Sequence, residues 1–96
     1  MGHDISGFKQ DDISQEKEIA YLRRSAGNPL ARVIYEALDA EEHDCGCSGC
    51  GTHKSFSTEQ LKNALAKIPA GEETQPERKF LSDCIAAGGE INVCFC

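Results

Sequence analysis

The sequence predicts a mostly α fold of the α+β class: about four short helices packed as a small bundle, with a small β-ribbon formed by the N- and C-terminal segments. Three observations lead there. Apolar residues recur at helical spacing in several stretches, each bounded by capping residues. The last seven residues change to a two-residue period. A chain of 96 residues with no tryptophan and only two Tyr and four Phe has room for one modest, mainly aliphatic core, so residues 1–96 form a single domain.

Taken in order, residues 1–11 are polar with isolated apolar positions at Ile5 and Phe8, as in a loop or short edge strand. A first helix is expected from Ile13 to Ala26. Asp12 would cap it with Gln15 three residues on, Glu16 and Glu18 suit the positive end of its dipole, and Arg23 and Arg24 suit the other end. Gly27 would follow as the C′ residue. Asn28 then caps a second helix with Pro29 at its first position, and Leu30, Val33, Ile34, Ala37 and Leu38 make one continuous stripe. A third helix starts at the capping box Ser57–Gln60, with Phe56 placed to staple onto Leu61. Its stripe is Leu61, Ala64, Leu65 and Ile68, and Pro69-Ala70-Gly71 ends it. A fourth is expected after a second box, Thr74–Glu77, with Pro76 in its first turn. Phe80, Leu81, Cys84 and Ile85 lie on one face, and Gly88-Gly89 stops it. From Glu90 to Cys96, Ile91, Val93 and Phe95 alternate with Asn92, Cys94 and Cys96, the pattern of a half-buried strand. A lone strand needs a partner, and the N-terminal stretch from Asp4 to Lys9 is the available one.

Sixteen acidic residues against ten basic ones give a net charge of -6, and such a surface repels phosphate backbones, so no nucleic-acid partner is expected. The acids Glu36, Asp39, Glu41, Glu42 and Asp44 gather just before the cysteine-rich loop and read as a solvated helix end. No apolar run approaches the ~20 residues of a membrane helix, and the N-terminus lacks the features of a secretory signal, so no membrane association is expected. The start Met1-Gly2-His3-Asp4-Ile5-Ser6 matches the loose myristoylation pattern, but no polybasic patch supports it. With no export signal, the expected compartment is the reducing cytoplasm, where closely spaced cysteines bind metal or do redox chemistry more often than they form structural disulfides.

The chemically pointed feature is the loop from His43 to Lys54, rich in glycine and carrying Cys45, Cys47 and Cys50. A Cys-x-x-Cys turn followed by glycine lets two thiolates meet one ion while backbone N–H groups point at sulfur. In this respect Cys47 to Cys50 with Gly51 resembles the knuckle of zinc-ribbon proteins, over five residues only. Cys94 and Cys96 leave the last strand on one side, with alpha carbons expected about 6.6 Å apart. Together Cys47, Cys50, Cys94 and Cys96 would make a closed four-thiolate zinc site, with Cys45, His43 and His53 as substitutes. A local set of Cys45, Cys47, Cys50 and His53 is also sterically allowed. An iron–sulfur cluster could use the same thiols.

The leading expectation is thus a small soluble protein with a structural zinc site built from Cys45, Cys47, Cys50, Cys94 and Cys96, acting as an interaction or regulatory module toward a protein partner. The alternative is a thiol redox protein or sensor using Cys47 and Cys50, with His43 and Lys54 favouring thiolate. Cys84, on the apolar stripe of the fourth helix, reads as core packing. His3 and Asp4 read as surface. No catalytic residue is assigned: Ser25, Ser48 and Ser55 lack the context of an activated nucleophile, Lys54 does not directly follow the glycine of a phosphate-binding loop, and Glu41 and Glu42 lack an evident pocket.

Overall fold

The computed structural model describes residues 2–12 and 17–96. Its centre is a four-stranded antiparallel sheet in the order β2-β1-β4-β3, made of β1 (Gly2–Lys9), β2 (Ala20–Ser25), β3 (Thr52–Phe56) and β4 (Ile91–Phe95). One face is covered by α1 (Val33–Ala37), α2 (Thr58–Lys67) and α3 (Gln75–Ala87). This replaces the expected four-helix bundle with its small terminal ribbon. The two end segments do pair, Ser6 opposite Cys94 and Gly7 opposite Val93, but as the middle of a larger sheet.

The largest departure is the expected first helix. Residues 13–16 of that span lie outside the described residues, and its second half is β2. Ala20 and Leu22 point into the core while Tyr21 and Arg23 face out, a period of two that the capping residues around it obscure. Arg23 does not serve a helix dipole but forms a two-pronged ion pair with Asp4 on the adjacent strand. Arg24 turns inward, where its Nε and Nη2 each lie 2.6 Å from an oxygen of Glu77, a carboxylate with no exposed surface. Burial against a sheet has overridden local helix preference here. Gly27 lies in the turn that Asn28 closes by donating its backbone N–H to the Ser25 carbonyl.

The second departure is β3, which begins inside the span read as a loop, His43 to Lys54, and runs on to Phe56. Its outward and edge positions, Thr52, His53 and Ser55, are polar and exposed. An edge strand buries little, so it carries no apolar alternation to read, and such edges are typically polar.

The helices themselves follow local signals. The Asn28 side chain accepts from Leu30 N–H and starts a short 3-10 turn, Pro29–Arg32, that runs into α1. Both halves of the Ser57–Gln60 capping box are formed at α2. The expected box at α3 is absent: Thr74 donates to the Pro69 and Gly71 carbonyls, and Glu77 is committed to Arg24. Between sheet and helices lie Ile5, Leu22, Phe56, Ile91, Val93 and Phe95 from the strands, with Ile34, Tyr35, Leu61, Phe80 and Leu81 from the helical layer. No helix among the described residues is long and apolar enough to cross a membrane.

Candidate thiol–disulfide site

The residues after α1 turn the chain back toward β3. A bridge between Asp44 and Gly49 closes a tight loop, Cys45 N–H donates to Ser48 C=O at 2.9 Å, and Gly46 takes a φ of 93°, a backbone conformation that suits glycine. The Asp44 carboxylate accepts from Gly46 N–H at 2.9 Å, and Cys50 N–H donates to His43 C=O at 3.0 Å. This geometry brings Cys45 and Cys50 together as a disulfide with alpha carbons 5.2 Å apart, within the usual range for such bonds. Cys47 sits exposed at the turn with a free thiol. The bond therefore joins Cys45, not Cys47, to Cys50.

Cys94 on β4 and Cys96 just past its end project on the side away from Val93 and Phe95, and their sulfurs are paired close to bonding distance. Their alpha carbons are 6.0 Å apart, a little under two ideal strand rises. Cys94 lies in register with Ser6 on β1 and His53 on β3. Cys96 is held by two backbone hydrogen bonds to Asp4, 2.9 and 3.2 Å long.

The loop and this second pair meet at one end of the sheet. Gly49 N–H donates to Cys96 C=O at 3.0 Å and Gly51 N–H to Phe95 C=O at 2.8 Å. Gly49 packs so closely that a Cβ there would lie 2.6 Å from the Phe95 carbonyl oxygen and 2.7 Å from Cys96 N. The backbones of the loop and of the end of β4 lie side by side, while the sulfurs, expected to converge on one ion, are paired within each segment.

A residue that sequence reasoning placed on the surface anchors this arrangement from below. His3 is 1% exposed. Its Nε2 lies 3.0 Å from the Gly46 carbonyl oxygen and its Nδ1 2.8 Å from the Tyr35 hydroxyl. A carbonyl only accepts, so Nε2–H donates to Gly46, while Nδ1 and the Tyr35 hydroxyl share the second hydrogen bond. Burial, reinforced by the charge of Asp44, pushes the Tyr35 hydroxyl up to about 12, so it keeps its proton. The partners of His3 are 32 and 43 residues away, and no local pattern marks them.

The other candidate donors point elsewhere. The His43 ring stacks on Phe95 with centroids 5.0 Å apart, and its Nδ1 is 2.5 Å from Thr52 Oγ1. Lys54 reaches the Asp39 carbonyl and Glu42. Cys84 is buried beneath the sheet as expected of a core cysteine, and burial pushes its thiol up to about 12. Among the described residues, no three His, Cys, Asp or Glu side chains are grouped to hold a metal ion. A cleft of about 570 Å³ between Lys9–Asp11 and Ala87–Glu90 has neither cysteine nor histidine in its lining.

Comparison with known proteins adds nothing to this geometry. No family model, curated protein or solved structure matches the chain. The reading of the site rests on its own residues.

Proposed function

We propose that the protein is a small thiol–disulfide redox module, a sensor or regulatory element whose cysteine loop changes between disulfide and dithiol. The observation that carries this reading is the placement of two cysteine pairs, Cys45–Cys50 at bonding distance and Cys94–Cys96 close to it, at one end of a single sheet with the exposed Cys47 thiol between the loop cysteines. Reduction of the loop pair would free Cys50, whose sulfur sits 3.8 Å from the Glu42 carbonyl oxygen, a place where a thiol can donate a hydrogen bond. Opening would loosen the turn while leaving the helix–sheet core intact, a local change a protein partner can read. A reducing cytoplasm, in which such pairs cycle rather than persist, is the setting this function requires. The experiment is alkylation after unfolding, without reductant: Cys47 and Cys84 should take the label and the other four should not. Labelling of all six cysteines in protein purified under air contradicts the reading.

A second reading keeps the zinc-binding module expected from the sequence. It is favoured by the hydrogen bonds from Gly49 and Gly51 to the end of β4, which bring the backbones carrying Cys47, Cys50, Cys94 and Cys96 side by side. Reduced, these thiols are a donor set that suits zinc or an iron–sulfur cluster, with Cys45 as a substitute ligand. Elemental analysis of protein purified under reducing conditions separates the two. Stoichiometric metal, with a melting temperature that falls on adding chelator, supports the zinc reading, and metal-free protein indifferent to chelator removes it.

A further inference from the structure

The outer face of the sheet carries a second cysteine pair whose placement sets a direction of attack. Cys94 on β4 and Cys96, one residue past its end and still hydrogen-bonded to Asp4, lie two positions apart on one face, so the axis joining their sulfurs runs along the strand direction. A thiolate opening a disulfide approaches along that axis, from the side of the attacked sulfur away from the leaving one. Approach to the Cys94 sulfur passes over Asn92, which is half-buried in register with Phe8 and Ser55. Phe8 is itself only 8% exposed although it lies on this outer face. The Cys94 side chain is also flanked across the sheet by Ser6 and His53. Cys96 is exposed.

The geometry points to Cys96 as the sulfur that exchanges with an incoming partner and to Cys94 as the internal leaving and resolving thiol, the partner being a molecule that presents two neighbouring thiols. This inference rests on the redox reading above and extends it from the loop to β4. One partner thiolate attacks the Cys96 sulfur, forming a mixed disulfide and breaking the bond to Cys94. Cys94 leaves as a thiolate and takes a proton from water. The second partner thiolate then attacks the partner's own sulfur in the mixed disulfide, and Cys96 leaves as a thiolate and is protonated in turn. Two electrons pass from the partner, which becomes a disulfide, to the Cys94–Cys96 pair. In the reverse direction Cys96 attacks a partner disulfide and Cys94 resolves the intermediate. A partner with one thiol cannot complete the second step alone and stays attached unless Cys94 expels it.

The test uses the full chain with its loop cysteines present. The variants Cys94→Ser and Cys96→Ser are each treated with the aromatic disulfide probe 5,5′-dithiobis(2-nitrobenzoate), and the modified residue is located by mass spectrometry. Because access governs exchange, Cys96 in the first variant should react at least about tenfold faster than Cys94 in the second, and its mixed disulfide should persist. Oxidised wild-type protein treated with limiting 2-mercaptoethanol under acid quench should carry the adduct on Cys96. Equal rates, faster reaction at Cys94, or an adduct on Cys94 overturns the assignment. If exchange occurs only at Cys45, Cys47 or Cys50, this inference fails and the loop reading stands. Circular dichroism of each variant confirms the fold, and the wild-type adduct decides the matter if either serine variant is unfolded.

Discussion

Opening the loop disulfide should lower stability by an amount that can be worked out from the chain. Cys45 and Cys50 are separated by five positions. A cross-link closing a loop of about five or six residues removes roughly 7 cal/mol/K of entropy from the unfolded chain, or about 2 kcal/mol at 25 °C. In a domain of this size each kcal/mol moves the melting temperature by about 4–8 °C, so the loss should be roughly 8–16 °C. The helix–sheet core does not depend on the sulfur–sulfur bond, so no larger effect is expected. The assay is thermal denaturation of oxidised wild-type protein, of wild-type protein under a small dithiol, and of the Cys45→Ser/Cys50→Ser variant. The double variant isolates the loop, because the β4 pair remains oxidised in it. A double variant that melts within about 2 °C of oxidised wild type, where the constraint argument requires several times that, refutes the reasoning.

Three further outcomes follow from the contacts around the site. Gly49→Ala should cost about 1–3 kcal/mol, as other overpacked substitutions do, because its Cβ would meet the Phe95 and Cys96 backbone. Urea unfolding measures the loss, and wild-type stability would show that the loop is not seated on β4. Arg24→Ala should cost about 3–5 kcal/mol, since it strands the buried Glu77 carboxylate; a loss below 1 kcal/mol by the same assay would place this pair at the surface. The Asp4 carboxyl is held below its usual value of 3.8 by the Tyr21 hydroxyl first and the Arg23 guanidinium second. Its contribution to stability is therefore fully present above the unfolded value and lost as pH falls through the lower native one. An NMR titration should show that depressed midpoint, and Tyr21→Phe should move it upward; a midpoint unchanged by that substitution contradicts the assigned cause.

The parts of the fold that could be read from sequence are those specified locally. The Ser57–Gln60 box and its apolar stripe define α2 within ten residues, and the alternation of Ile91, Val93 and Phe95 defines β4 within five. The strands that were missed are specified by distant partners. Arg23 and Arg24 sit where a helix end would want them, yet each is bound to a carboxylate brought near only by folding, Asp4 and Glu77. Thr52 to Ser55 have no apolar rhythm because an edge strand does not require one. At the site, the place of the cysteines was legible and their pairing was not. The choice of Cys45 over Cys47 as partner of Cys50 follows from the turn closed by Asp44 and Gly49, and from a buried histidine whose ligands lie far along the chain.

The central claim is that four cysteines work as two independent couples. Site-resolved alkylation of the folded protein, equilibrated across a graded series of dithiol and disulfide buffers and read by mass spectrometry, tests it most directly. Cys45 and Cys50 should become reactive together with one midpoint, Cys94 and Cys96 together with another. Cys47 should label throughout and Cys84 only after unfolding. Cysteines that open one at a time, or Cys47 titrating in step with Cys50 while Cys45 stays reactive, would contradict the account.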